Sequence, residues 1–221
     1  MRLAIISDLH ANLEAYRAIA PQLRMVDRVI CLGDLVGYYC QVNEVIDLVR
    51  GLNPICVMGN HDHFLLTGCP PDAPQTVRFG IEYANRIITV ENREWLASLP
   101  LVWGGRLGGR SLLLTHGSPW RPLHDYVYDD SPLLPELSKF DFDIVAFGQT
   151  HRLLVTMGSL PLRLNPGSVG QPRDVAAKAS ALIVDLQTLT VETLRCSFEP
   201  RHVIECAVKE GAGTWITKHL M

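Results

Sequence analysis

Leu3-Ala4-Ile5-Ile6-Ser7-Asp8-Leu9-His10-Ala11-Asn12 decides the fold. Four apolar residues in a row read as a strand buried on both faces, as in a parallel sheet. Asn12 opens a helix in which Leu13, Tyr16, Arg17, Ile19 and Ala20 give a mixed helical period, with Pro21 blurring its end. The same unit recurs further along. Residues 26–32 read as a second strand ended by Gly33. Residues 42–49 read as a helix with Val42, Val45, Ile46 and Val49 on one face, broken by Gly51-Leu52-Asn53-Pro54. Residues 55–58 form a third short apolar strand. Strands alternating with helices predict parallel pairing through helical crossovers.

Beyond a Pro-rich loop at 68–74, helices are expected over 76–88 and 92–98. Strands at 101–103 and 111–115 flank a Gly-rich turn, and a helix is expected over 131–139. Residues 144–147, 153–156 and 160–164 are further strands. Residues 181–186 and 191–197 read as a hairpin around Gln187-Thr188, and 203–209 as a final helix. No repeat or low-complexity linker interrupts the chain. The expectation is a single α/β domain over 1–221, a four-layer αββα sandwich with two mixed sheets face to face and helices outside.

The 221 residues are 48% hydrophobic, enough for a sizeable core. The net charge of −3 argues against a nucleic-acid binder, which would carry a basic face. It leaves room for a small phosphorylated substrate, because a bound metal supplies positive charge locally. None of the six cysteines forms a C-x-x-C pair, so they read as buried thiols of a cytoplasmic protein. Met1-Arg2 runs straight into the first strand, too short for a signal core. No apolar run approaches the roughly 18 residues of a membrane span.

The polar clusters sit just after predicted strands, where open α/β folds bind ligands. Asp8 and His10, two apart on extended chain, point to one side and can reach one ion together. Gly33-Asp34 follows the second strand, and the Asp34 carboxylate has two oxygens able to bridge cations. Gly59-Asn60-His61-Asp62 follows the third. There the Asn60 amide oxygen is a neutral ligand, and Asp62 would orient the His61 imidazole and raise its pKa. His116-Gly117 and Gly148-Gln149-Thr150-His151 follow two later strands. Each cluster alone is weak, but their fixed order is not: buried ionisable groups need partners or metals to offset desolvation.

The ordered set D-x-H, G-D, G-N-H-D, H-G and G-x-x-H, from Asp8 to His151, resembles the calcineurin-like metallophosphoesterase family. Leu164-Asn165-Pro166-Gly167-Ser168-Val169-Gly170 and His116-Gly117-Ser118-Pro119 look like its compact bacterial and archaeal phosphodiesterase branch. The resemblance implies that Asp8, His10 and His151 hold a first metal, that Asp34 bridges, and that Asn60 and His116 hold a second. His61, backed by Asp62, would assist the leaving group while a metal-bridging hydroxide attacks phosphorus. Two divalent ions about 3.5–4 Å apart suit such an in-line displacement. Mixed N/O ligands suit Mn, Fe, Zn or Ni, with manganese favoured.

One position departs from the family pattern G-H-x-H. Gln149 stands where a second imidazole is expected, and its amide is a weak or absent ligand. That departure opens an alternative, a non-catalytic protein-interaction scaffold on the same fold with metal binding partly lost. Retention of His61 and Asp62 favours the enzyme. Outside the clusters, Arg121 or His124 would bind a second phosphate, and Trp120 or Tyr126 would stack on a base. His63 reads as a cap of the next helix or as a pocket-lining residue, Asn165 as the residue that fixes its turn, and Arg173-Asp174 as a surface ion pair. A phosphodiester, with a dinucleotide or polyphosphate as the sharper guess, is the expected partner. Homo-oligomerisation stays open.

Overall fold

The computed structural model describes residues 1–221. β1 (Arg2–Ile6), β2 (Arg28–Cys31) and β3 (Ile55–Cys56) pair in parallel, as the opening pattern requires. Five further strands lie between β3 and the C-terminal hairpin: β4 (Val102–Leu107), β5 (Arg110–Thr115), β6 (Ile144–Ala146), β7 (Leu153–Thr156) and β8 (Leu162–Pro166). β9 (Lys178–Asp185) returns antiparallel to β1, and β10 (Thr190–Ser197) closes the hairpin. The first sheet therefore runs β10-β9-β1-β2-β3 and the second β4-β5-β6-β8-β7. In the second sheet β5, β6 and β8 are parallel, with an antiparallel hairpin at each edge.

Alternation along β1 explains its unbroken apolar run. Leu3 and Ile5 enter the layer between the sheets with Ile30, Val57, Leu114 and Ile144. Ala4 and Ile6 face the helices on the other side. Each Leu or Ile so buried contributes about 1.5–3 kcal/mol. Helices α1 (Leu13–Leu23), α2 (Val42–Gly51), α3 (Asn60–Thr67), α4 (Gln75–Ile87) and α5 (Val90–Ala97) build that outer layer. The second sheet is covered only by α6 (Leu133–Glu136) and one 3₁₀ turn, packed on Leu113, Val145 and Phe147. The C-terminal α7 (Arg201–Lys209) and a 3₁₀ turn (Thr214–Thr217) return to the first layer through Val203, Ala207 and Ile216.

The four-layer sandwich is as expected, with local corrections. The α3 helix, not delimited from the sequence, begins inside the G-N-H-D cluster. Its start is signalled by Asp62 three residues after Gly59, where an acidic side chain can reach back to the N-cap amide. β4 continues through Gly104 and Gly105 rather than turning there. Gly105 leaves room for the Trp103 ring, since a Cβ would stand 2.6 Å from it. The helix expected over 131–139 starts at Leu133, with Pro132 as its N-cap, and passes into a 3₁₀ turn over Leu137–Lys139. The helix α2 runs on through Gly51 before ending.

Candidate metal centre

Every predicted ligand leaves the carboxyl end of a strand at one pole of the sandwich. Asp8 and His10 follow β1, Asp34 follows β2, Asn60 follows β3, His116 follows β5, and Gln149 and His151 follow β6. Ligand atoms of Asp8, His10, Asp34 and His151 lie within 4.8 Å of one another, and all four residues are buried. His116 Nε2 stands 3.3 Å from Asp34 Oδ2 and 3.0 Å from Asn60 Oδ1, so Asp34 joins the two halves.

Three imidazoles are oriented in the same way. Nδ1 of His10 contacts the Val36 carbonyl at 2.9 Å, that of His116 the Leu32 carbonyl at 2.7 Å, and that of His151 the Gln171 carbonyl at 2.7 Å. A carbonyl only accepts, so each Nδ1 donates and each Nε2 is aimed at the centre, where its lone pair serves a cation once that nitrogen is deprotonated. The Nε2 atoms of His10 and His151 confront each other at 3.1 Å. Asp8 Oδ1 lies 3.1 Å from His151 Nε2 yet is buried without a hydrogen-bond partner. Facing lone pairs and an orphaned carboxylate oxygen are relieved by a cation, so the donor set fits divalent metal.

The backbone is bent to make this cluster. Asp8, His10, Asp34, Gln149 and His151 all have φ between 49° and 66°. That left-handed region costs a non-glycine residue about 1–2 kcal/mol, and such strain gathers where a site over-determines the chain. The Asn165 turn supplies part of the clamp. Ser168 Oγ donates to the Asp8 carbonyl at 2.7 Å, and Gly170 N donates to the same oxygen. Asn165 Nδ2 donates to the Gly148 carbonyl while its Oδ1 accepts from Gly167 N, as expected for a turn-fixing residue. Gly59 must be glycine, because a Cβ there would sit 2.1 Å from Asp34 Oδ1.

Burial opposes charge throughout the centre, but neighbours overrule it in places. Burial would raise Asp8, yet His151, His10 and His116 hold its carboxyl well below the usual range. Asp34 is likewise lowered by His116 and His61 against burial. Burial would lower His116, yet the Asp34 and Asp8 carboxylates push it up to about 10. His151 goes the other way, down to about 4, because burial outweighs Asp8.

The His61–Asp62 pairing expected from sequence is not what the chain builds. The Asp62 carboxylate accepts from the backbone amides of Asp34, Leu35, Val36 and Gly59 at 2.9–3.3 Å. It ties the Asp34 loop to the start of α3 and positions both. Burial and the Asp34 charge raise Asp62 to about 7 against the pull of those amides. His61 Nδ1 has no partner, and Nε2 is 3.9 Å from Asp34 Oδ2. Burial lowers His61 to about 3, the reverse of the expected rise. Adjacent helix residues point about 100° apart, which keeps the two side chains from meeting.

A cavity of about 420 Å³ opens beside His61, Asn60 and Gln149. His124 and Tyr126 line it, as the sequence suggested. Arg121 does not: its side chain is 66% exposed and lies 3.7 Å from Asp125. Trp120 packs against Phe140 instead, with ring centroids 5.2 Å apart. His63 lies within α3 and caps nothing. The surface ion pair expected of Arg173 and Asp174 does not form. Arg173 leaves Asp174, which pairs with Arg195, and reaches into the cavity wall with Nη2 3.2 Å from both Tyr38 Oη and Gln171 Oε1. Gln149 Oε1 is buried without a partner, free to accept from a cation or a donor.

An inter-strand pole where buried carboxylates and Nδ1-anchored imidazoles converge defines a metal-dependent hydrolase. The chain belongs to the calcineurin-like phosphoesterase superfamily, a family of metallophosphoesterases, whose domain matches residues 1–189. It is 32% identical to an uncharacterised Methanocaldococcus jannaschii protein, over 99% of this chain and 96% of that one. The crystal structure of a metallophosphoesterase from Sphaerobacter thermophilus superposes with a TM-score of 0.84 at 29% identity, covering 100% of this chain and 98% of the other. A hypothetical protein from Pyrococcus horikoshii shares the fold with a TM-score of 0.86 at 20% identity, over 98% and 96% of the two chains.

Proposed function

We propose that the chain hydrolyses phosphodiesters at a two-metal centre, with one position held firmly and the other weakly. The observation that carries this reading is the set of three Nδ1-anchored imidazoles converging on Asp8 and Asp34. Asp8, His10 and His151 would hold the first ion, Asn60 and His116 the second, with Asp34 shared. Divalent ions there, manganese favoured, would polarise the phosphoryl oxygens and lower the pKa of water. Gln149 would leave the second position short of an imidazole donor.

His61 stands at the cavity wall, 5% exposed and neutral at working pH. A neutral imidazole still donates one hydrogen bond, and His61 would place it on the leaving or non-bridging oxygen. His124 at the rim would meet a substrate anion. Asp62 acts through backbone amides as a positioning residue. The scaffold alternative loses its support, since a buried ligand set would be retained at a cost in strain and desolvation with nothing to hold. Six free cysteines support a reducing, cytoplasmic setting, and no helix is long and apolar enough to cross a membrane.

The deciding assay is Mn²⁺-dependent release of 4-nitrophenol from bis(4-nitrophenyl) phosphate. Asp34→Asn is expected to abolish it. Activity that survives this change, or that needs no metal, would overturn the proposal.

A further inference from the structure

We propose that the C-terminal segment completes a second, anion-binding subsite, so that the substrate is a nucleotide-type phosphodiester carrying a second phosphate. The inference rests on the phosphodiesterase reading above and goes beyond it in naming what lies next to the scissile group.

A second cavity of about 390 Å³ adjoins the one at the metal centre, and the two share Tyr38, Pro74 and Arg173 as a common wall. The Tyr38 ring also lies 4.6 Å from His10 and 4.9 Å from His61, so the wall touches the centre directly. Arg173, Lys218 and His219 line the second cavity, with Gln171 and Trp215, and no carboxylate does. The guanidinium of Arg173 is held by two neutral oxygens, those of Tyr38 and Gln171. The nearby Asp174, which could neutralise it, is committed to Arg195. Burial first, and then the Arg173, Lys218 and Arg152 charges, push His219 below its ordinary value.

A concave, basic pocket with no carboxylate in its lining concentrates anions. Arg presents planar donors that match a phosphate, and Lys adds a mobile charge. Tyr126 lines the first cavity, its ring stacked on Tyr128 at 6.2 Å, and offers a face for a base. The metal ligands all come from the part of the chain that matches the family domain, residues 1–189. Trp215, Lys218 and His219 lie beyond it. The shared domain thus supplies the chemistry and the C-terminal extension the discrimination.

Two measurements separate the subsite from the catalytic reading. Binding of thymidine 3′,5′-bisphosphate and thymidine 5′-monophosphate to the Mn²⁺-loaded protein is compared by calorimetry. Hydrolysis of thymidine 5′-(4-nitrophenyl phosphate) is compared with that of its 3′-phosphorylated form. The bisphosphate is expected to bind about tenfold tighter or more, the worth of one charge-assisted hydrogen bond. Lys218→Ala, an exposed change whose folding is checked by thermal unfolding, is expected to erase that preference. Equal binding of the two nucleotides, or a preference untouched by Lys218→Ala, overturns the subsite. Preferential binding without hydrolysis of either ester keeps the subsite and overturns the catalytic reading instead.

Discussion

Two side chains carry most of the residue-scale argument. His61 is buried, lacks a partner at Nδ1 and faces Asp34 across 3.9 Å. If its N–H supports the leaving oxygen, His61→Asn should lower kcat by roughly 10²–10⁴-fold, the usual worth of a positioned proton donor. The loss should shrink for 4-nitrophenolate and grow for alkoxide leaving groups, a comparison that steady-state kinetics on two esters provides. Gln149 sits 3% exposed, with its Oε1 unpartnered. Replacing it by His should tighten the weaker ion by about tenfold, or ~1.4 kcal/mol. Metal counting after gel filtration should then rise from between one and two ions per chain toward two. Two firmly held ions in both proteins would contradict the asymmetry.

At the scale of elements, the pole opposite the site shows how strand starts are tied. Asp143 precedes β6 and accepts from Ser111 N at 2.8 Å and Ser111 Oγ at 2.9 Å, with Arg110 at 3.3 Å. Those bonds, led by the Ser111 amide, lower the Asp143 pKa. Its folded-state value therefore lies below the unfolded value of about 3.9. The stabilisation is full above that value and disappears as pH falls through the folded one. Asp143→Asn should be less stable than the parent at pH 7, and the gap should close below about pH 3.9. Urea denaturation at the two pH values measures it, and a gap that widens in acid would refute the assignment. The α3 helix belongs to the same scale, because Asp62 at its third position gathers the Asp34 loop through four amides.

For the whole molecule, metal binding at the centre would be linked to folding. Five strained residues, two of them buried carboxylates, are brought together from the ends of three strands, β1, β2 and β6. An ion that binds only the folded state stabilises it by about 2.7 kcal/mol at a hundred times its Kd. For a chain of this size that corresponds to ~5–10 °C in Tm. Exhaustive chelation should lower Tm by that amount, and restoring Mn²⁺ should recover it. Scanning calorimetry before and after chelation tests the coupling, and an unchanged Tm would show that the ligands are assembled without help from metal.

The sequence by itself determined the parallel core and which polar residues gather at its carboxyl end. A continuous apolar run such as Leu3–Ile6 has one good solution, burial on both faces, and residues just past it must emerge at the carboxyl end of a sheet. Asp8, His10, Asp34, Asn60, His116 and His151 were legible for that reason. Only the tertiary structure decided what side chains do across elements. Asp62 turned from His61 to four amides because residues adjacent on a helix diverge, while the Asp34 loop folds back onto the start of α3. Arg173 left its sequence neighbour for the cavity because Arg195 of β10 takes Asp174. The two cavities that meet at Arg173 and Tyr38 join loops from both sheets to the C-terminal turn. Such proximity depends on how layers stack, which local periodicity does not encode.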